Sequence, residues 1–195
     1  DETKECIIID PGCYEKEEQK ELEDFINFHE LKPILLINTH AHIDHVLGNF
    51  FVTNNWNIGL VLNKLDLVTL NSVKEYCTAY GFEHYQISPE PIKFIDEGEC
   101  ITFGNSKLNV FFTPGHAPGH IVLYCESQRF LIAGDVLFQM SIGRTDLPGG
   151  DFDTLINSIN NKLMNLPDDT VVYPGHGPKT TIGFEQENNP FLNKS

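Results

Sequence analysis

The sequence has 195 residues, of which 41% are hydrophobic and 21% charged, as in an ordinary globular protein with a sizeable core. Its formal net charge of -15 argues against nucleic acid or an anionic membrane surface as a partner. No apolar run is long enough to span a membrane. The five cysteines are scattered without a C-x-x-C pair, which predicts neither a disulfide framework nor a cysteine zinc site. Free thiols favour a reducing compartment, so we expect a cytoplasmic protein.

From the first residue to the last, the sequence predicts a β/α region, a run of closely spaced strands and a second β/α region. The first region has strands at 6–9, 34–37 and 58–62 and helices at 15–31, 45–51 and 64–80. The middle region has strands at 92–95, 100–103, 108–112, 121–125 and 130–133. The last region has a helix at 151–166, a strand at 171–173 and a short helix at 180–188. Two packed sheets with helices outside them would explain this order, which predicts one domain, 1–195, in four layers.

Two of these helices are long enough for their apolar spacing to predict a buried face. The residues expected to pack are Leu22, Phe25 and Ile26 in the helix at 15–31, and Leu65, Val68, Val73 and Tyr76 in the helix at 64–80. Asn63 directly precedes the second of these helices. Asparagine is a favoured N-cap residue, so we expect Asn63 to cap it.

The densest group of possible metal ligands is the stretch from Thr39 to His45, directly after an apolar strand. Side chains two apart on extended backbone point the same way, so His40 and His42 can converge on one point. Asp44 and His45 follow where the chain must turn, and they can face a second point nearby. Imidazole and carboxylate groups suit zinc or iron. The alternative interpretation is a polar loop in which Asp44 caps a helix that begins at His45.

Three further strand ends carry residues of the same types. His116 lies in a loop restricted by two prolines and two glycines, Asp135 follows an apolar strand, and His176 follows a Pro-Gly turn. Each could be a structural residue when considered singly, but four strand ends with ligand residues together indicate a metal centre. His120 could be a ligand, could orient a ligand, or could be a buried histidine bonded to backbone, and we favour the orienting role.

The set of ligand residues resembles the metal-binding motifs of the metallo-β-lactamase superfamily, and more narrowly its short glyoxalase II-like (hydroxyacylglutathione hydrolase-like) branch. The likeness extends to the stretches 9–12, 141–146 and 173–191. It implies an α/β (α+β) fold, a four-layer αββα sandwich with the site at one edge. It also implies about two further strands before Asp1, which would leave an edge of the first sheet exposed here. The ligands that it implies are His40, His42 and His116 for one metal ion, Asp44, His45 and His176 for the other, and Asp135 as a bridge.

The resemblance further implies an enzyme, a binuclear metallohydrolase with two divalent ions, zinc first and iron or manganese as alternatives. A hydroxide that bridges the ions would attack the carbonyl of an acyl-thioester substrate of the hydroxyacylglutathione type, with Asp44 and Asp135 as the catalytic carboxylates. Arg144 occupies the position at which this branch has a basic residue that binds the carboxylate of the substrate. It could equally brace its own loop through Asp146. The tyrosine expected after His176 is replaced by Gly177-Pro178, which weakens the assignment of glutathione as the thiol.

Other reactions of the same superfamily remain alternatives. A mononuclear iron persulfide dioxygenase has a similar Gly-Arg-Thr-Asp stretch, but His120 and the Tyr-Pro-Gly-His-Gly stretch that holds His176 favour the hydrolase. A lactonase is a further alternative. A β-lactamase is disfavoured because His45 stands where those enzymes usually have another residue. The non-enzyme alternative is a binding domain in which metal has only a structural role.

Overall fold

The computed structural model of the chain describes residues 2–192, which form two compact units. The first unit comprises the residues up to Ile95 together with Thr102–Ser106. The second comprises Asp96–Ile101 and the residues from Lys107 onwards. None of the described helices is long and apolar enough to cross a membrane. The prediction of one domain, 1–195, stays a prediction.

The first unit is built on a four-stranded parallel sheet with the order β1-β2-β3-β4. Its strands are Glu5–Ile9 (β1), Lys32–Ile37 (β2), Leu60–Leu62 (β3) and Lys93–Phe94 (β4). Its helices are Lys16–Phe28 (α1), Ile43–Val46 (α2), Asn49–Trp56 (α3) and Leu67–Tyr76 (α4), and 3-10 turns at Lys64–Asp66 and Cys77–Tyr80 flank α4. Parallel neighbours require crossover connections, and the helices supply them. Strand β1 lies at one edge of this sheet, the edge that we expect to be exposed.

A six-stranded mixed sheet with the order β12-β11-β8-β7-β6-β5 carries most of the second unit. Its strands are Cys100–Phe103 (β5), Ser106–Phe112 (β6), Ile121–Cys125 (β7), Phe130–Gly134 (β8), Val171–Pro174 (β11) and Thr180–Thr181 (β12). The short strands Leu137–Phe138 (β9) and Ser141–Ile142 (β10) pair with each other. The helices are Phe152–Ser158 (α5), which continues into a π-helical turn at Ile159–Leu163, and Ile182–Asn188 (α6).

The predicted elements are present, with differences of detail. The helix expected at 45–51 is two helices, α2 from Ile43 and α3 from Asn49, and His42 is the N-cap of α2 without a side-chain cap bond. Asp44 lies inside α2, so the interpretation of Asp44 as a helix cap is wrong.

The remaining differences lie in the second unit. The helix expected at 151–166 changes to π geometry at Ile159. The helix expected from 180 begins at Ile182, because Thr180–Thr181 form β12. Strands β9 and β10 lie outside the predicted elements, since two residues give no measurable hydrophobic period.

The packed faces of α1 and α4 differ from the expected ones. Ile26 is buried as predicted, but Phe25 is 56% exposed. Leu65 and Val68 are 57% and 78% exposed, so their predicted packing is wrong. The residues that point inward along α4 and its flanking turns are Asp66, Leu70, Val73 and Cys77. Because Asp66 lies on the inward side, Leu65 before it and Val68 two residues after it lie on the outward side.

Asn63, which is 3% exposed, caps the 3-10 turn at Lys64–Asp66 that precedes α4. Its side-chain oxygen accepts a hydrogen bond from the Leu65 amide at 3.0 Å, as the predicted cap requires. Its side-chain nitrogen donates to the carbonyl of Ile95 at 3.0 Å. One buried side chain therefore joins the beginning of this turn to the residue that follows β4.

We predict that Asn63→Ala lowers the free energy of unfolding by about 1–3 kcal/mol, because it removes a cap and leaves a buried carbonyl without its donor. Denaturant unfolding of the purified protein measures the change. The matched control is Asn54→Ala, since Asn54 makes an exposed bond from its side chain to the carbonyl of Phe50. Equal stability of the two variants would contradict the proposed role of Asn63.

Candidate metal centre

The first unit gathers three imidazoles, two in the loop that follows β2 and one in α2. The ring centroids of His40 and His42 are 4.8 Å apart, and those of His40 and His45 are 4.0 Å apart. His40 is fully buried and His45 is 4% exposed, whereas the side chain of Asp44 is 47% exposed. Buried imidazoles grouped at this spacing, beside an accessible carboxylate, are suited to metal binding.

The carboxylate of Asp10, at the end of β1, holds this loop in place. Its Oδ1 accepts a hydrogen bond from the Thr39 amide at 2.7 Å. Its Oδ2 accepts from the Thr39 hydroxyl at 2.5 Å and from Nδ1 of His45 at 3.1 Å. Since the Thr39 hydroxyl donates to Asp10, its oxygen accepts from Nδ1 of His40, 3.1 Å away. Both histidines are thereby assigned Nδ1–H, and Nε2 is the atom that each would offer to a metal.

Asp10, His40 and His45 place ligand atoms within 4.8 Å of one another and could themselves surround an ion. We assign Asp10 the orienting role because both of its oxygens already accept short hydrogen bonds. Sequence reasoning attached no role to Asp10. The available signal was an aspartate directly after a buried strand, in a stretch that carried the family resemblance.

Two further contacts fix the backbone of the same loop. The amide of Ala41, between His40 and His42, donates to the carboxylate of the fully buried Asp66 at 2.7 Å. On the other side, a Cβ atom on Gly12 would lie 2.5 Å from the carbonyl oxygen of Asp44, so the chain passes closely there. Asp66 was also missed, although an acid on the apolar face of a predicted helix is a usable signal.

In the second unit, one oxygen of Asp135 faces two histidines. Oδ2 of Asp135 lies 3.7 Å from Nε2 of His116 and 3.5 Å from Nε2 of His176. These distances exceed those of good hydrogen bonds. When two ligand atoms bind the same tetrahedral zinc ion at about 2.1 Å, they lie about 3.4 Å from each other. The spacing therefore fits a cation next to each histidine, with Asp135 able to serve both.

His116 is held in position by its surroundings. Its Nδ1 donates to the carbonyl of Arg144 at 2.7 Å, so Nε2 is again the atom for a metal. The loop before it is fastened to α5 by the Ser158 hydroxyl, which donates to the carbonyl of Pro114 at 2.7 Å. Gly115 has φ +128°, and a Cβ there would lie 2.3 Å from the backbone nitrogen of Leu155. Only glycine allows this approach.

His120 is fully buried, and its Nε2 accepts a hydrogen bond from the amide of Asp135 at 3.0 Å. The orienting role favoured for His120 stays a prediction. Arg144 makes a two-pronged ion pair with Asp146, at 2.7 and 2.8 Å. The hydrogen bond from Arg144 is the main reason that the pKa of Asp146 is lowered to about 2. The loop-bracing contact is therefore present, and substrate binding by Arg144 stays a prediction.

The family model of the metallo-beta-lactamase superfamily matches residues 1–176. The probable metallo-hydrolase YqgX of Bacillus subtilis is 38% identical over 192 residues, 97% of this chain and 88% of that protein. Hydroxyacylglutathione hydrolase GloC of Haemophilus influenzae is 36% identical, over 99% of this chain and 90% of its own length. The chain belongs to the metallo-β-lactamase superfamily.

Solved structures agree with this assignment. BLEG-1, a B3 metallo-beta-lactamase, has a TM-score of 0.89 and 36% identity, covering 100% of this chain and 91% of that one. TTHA1623, crystallised in a di-iron-bound form, has a TM-score of 0.85 and 36% identity, covering 94% and 88%. The predicted metallo-β-lactamase fold, with its mixed α and β elements, is confirmed. The membership also supports a metal-binding hydrolase.

We predict that Asp10→Asn weakens metal binding by about 10- to 100-fold, because an amide cannot accept all the hydrogen bonds that hold His40 and His45. Zinc titration against a competing chelator measures the affinity. Asp24→Asn is the control, since Asp24 is exposed on α1, where its carboxylate pairs with Lys20 at 2.8 Å. An Asp10→Asn protein with wild-type zinc affinity would refute the orienting role.

Proposed function

We propose that the chain is a binuclear metallohydrolase that cleaves thioesters of the hydroxyacylglutathione type. The observation that carries the proposal is that His45 and His116 each donate from Nδ1 to an oxygen that fixes the ring, so Nε2 is the atom that each would offer to a metal. The relationship to GloC, which bears the name hydroxyacylglutathione hydrolase, supports the thioester. The di-iron form of TTHA1623 supports two ions and widens the choice of metal beyond zinc.

In this proposal the ligand set divides into three parts. The ligands are His40, His42 and His116 for one ion, Asp44, His45 and His176 for the other, and Asp135 as the bridge. The donor chemistry fits zinc, iron or manganese, because all of these ligands are imidazole nitrogens or carboxylate oxygens. When bound, such ions supply Lewis acidity for the carbonyl and lower the pKa of water.

The protein's own groups then have distinct tasks. Asp44 has an accessible carboxylate, which can accept a hydrogen bond from the attacking water and take its proton. The backbone amide of Asp135 donates to His120, which fixes the main chain from which the carboxylate extends. One water adds to the thioester carbon, the carbon–sulfur bond breaks, and a carboxylic acid and a thiol result. A thiolate is a weak base, so its departure needs little protonation by the protein.

Arg144 is proposed to bind a carboxylate in the thiol part of the substrate. Its side chain is 61% exposed, which allows an anion to approach it. Guanidinium groups bind carboxylates through paired hydrogen bonds. The partner Asp146 holds the guanidinium in one orientation before the substrate arrives.

The test is hydrolysis of S-lactoylglutathione by protein loaded with zinc, iron or manganese. We expect His116→Ala to lose at least about a hundredfold in kcat/KM and to retain less metal, because one ligand and its fixed geometry are gone. His84→Ala is the control, since His84 is exposed and outside the proposed ligand set. Full activity in His116→Ala would refute the ligand assignment.

Hydrolysis of β-lactams is a second candidate, favoured by the 36% identity and the TM-score of 0.89 to BLEG-1. A β-lactam is also an acyl group attacked by water, and the same ligands would serve. Parallel assays with a cephalosporin decide between the two. Faster turnover of the lactam than of any thioester would replace the thioesterase proposal. Oxygen uptake with a persulfide at one iron per chain would replace both.

We predict that Arg144→Gln raises KM for S-lactoylglutathione about tenfold, since a charge-assisted contact is lost. A neutral thioester of N-acetylcysteamine should be hydrolysed unchanged. Arg129→Gln is the matched control, because Arg129 makes a comparable exposed ion pair with Asp169 at 2.6 Å. An equal effect of Arg144→Gln on both thioesters would show that the residue only braces its loop.

A further inference from the structure

A buried carboxylate in α6 holds the tip of the hairpin formed by β9 and β10. Glu185 is fully buried, and its Oε2 accepts a hydrogen bond from the Met140 amide at 2.9 Å. Its Oε1 accepts from the hydroxyl of Thr180, in β12, at 2.6 Å. Met140 has a φ of +59°, in the left-handed region that residues other than glycine rarely adopt. The carboxylate therefore fixes a main-chain conformation that Met140 does not favour by itself.

Asn189, the residue after α6, makes a second contact with the same hairpin. It is fully buried, and its Nδ2 donates to the carbonyl of Ser141 at 3.0 Å and to Oε2 of Glu185 at 2.8 Å. Its Oδ1 accepts from the Phe191 amide at 3.0 Å. Two side chains thus bind adjacent main-chain groups of the hairpin, an amide and a carbonyl. Because buried polar groups are costly to leave without partners, these bonds hold the hairpin in one position.

Helix α6 is itself fastened to other parts of the second unit. Ile182 is fully buried, and its amide donates to the carbonyl of Thr170 at 3.1 Å. Nε2 of Gln186 donates to the carbonyl of Met164 at 2.7 Å. These bonds lead away from the hairpin. The helix is therefore a fixed support from which Glu185 can act.

The hairpin leads directly into the main chain that orients His116. Gly143 follows β10, and its amide donates to the carbonyl of Val136 at 3.3 Å. A Cβ atom on Gly143 would lie 1.9 Å from the carbonyl oxygen of Asp135 and 3.0 Å from Nδ1 of His116, so the chain passes closely by both residues. The next residue, Arg144, supplies the carbonyl that accepts from Nδ1 of His116 at 2.7 Å. A displaced hairpin would therefore move the group that fixes this imidazole ring.

We infer that Glu185 and Asn189 are positioning residues for the metal ligand His116. They act through the short main-chain segment that runs from the tip of the hairpin to the carbonyl of Arg144. The inference rests on the proposed function, which makes His116 a ligand, and adds two residues of α6 and its end to the groups that prepare the site. Removal of a group that orients a metal ligand typically weakens metal binding by about 10- to 100-fold. The action here is indirect, so we expect the lower end of that range.

The first measurement is zinc affinity of the purified full chain, by titration against a competing chelator. Glu185→Ala and Asn189→Ala should each weaken zinc binding about tenfold. Glu185→Gln should stay within about twofold of wild type, because its amide oxygen can accept from Met140 and Asn189 while its nitrogen donates to the Thr180 oxygen. The matched control is Gln186→Ala, which removes a hydrogen bond from the same helix to a different part of the unit. It should leave zinc affinity unchanged.

The second measurement is the NMR signal of the Nδ1 proton of His116 in zinc-loaded protein labelled with ¹⁵N-histidine. His116→Ala identifies the signal by its loss. Wild type, Glu185→Gln and Gln186→Ala should show a proton protected from exchange with water, because the bond to the carbonyl of Arg144 is intact. Glu185→Ala and Asn189→Ala should show faster exchange or no signal. This readout distinguishes a displaced ring from a fold that is only less stable.

Wild-type zinc affinity together with an unchanged His116 signal in Asn189→Ala would overturn the inference, even if Glu185→Ala failed to fold. An equal loss of zinc affinity in Gln186→Ala would also overturn it, since the helix would then act only through general stability. The proposed function can fail separately. If no metal-loaded form of the wild type hydrolyses a thioester, while Asn189→Ala still weakens zinc binding and exposes the His116 proton, the proposed function is refuted and the positioning role stands.

Discussion

The carboxylate of Asp10 is the group on which the geometry of the first histidine cluster depends. It joins the end of β1 to the loop after β2 through Thr39. It accepts directly from Nδ1 of His45, and it acts on Nδ1 of His40 through the Thr39 hydroxyl. A neutral imidazole has one donor and one acceptor nitrogen, so fixing the donor determines which atom faces a metal. The loop is thus ordered by contacts other than those that a metal would make.

In the second unit, hydrogen bonds likewise fix the histidine rings, but the partners are backbone groups. Backbone carbonyl and amide groups take the place of a carboxylate, since His116 donates to the carbonyl of Arg144 and His120 accepts from the amide of Asp135. The glycine at 115 lets the loop lie directly on α5. Residue 144 therefore has two separable features, a carbonyl that orients His116 and a side chain paired with Asp146.

Asp66 shows how a functional contact alters the packing of a helix. Its carboxylate faces inward to meet the amide of Ala41, which fixes the rotation of α4 about its own axis. Leu65 and Val68 then face outward, although their apolar character predicted burial. A buried carboxylate with a short charge-assisted bond can outweigh the burial of two aliphatic side chains when Leu70 and Val73 supply the core contact.

Most of the elements, their order and the residue types suited to metal can be predicted from the sequence alone, because hydrophobic period and ligand chemistry are local properties. The pair His40 and His42 can be singled out because two-residue spacing on extended backbone points both side chains the same way. The folded structure is needed to see that Asp10 and Asp66 contact that loop and that Leu65 and Val68 are exposed. Those contacts join residues 25 to 35 positions apart, and no local pattern encodes which of many possible partners a carboxylate will meet.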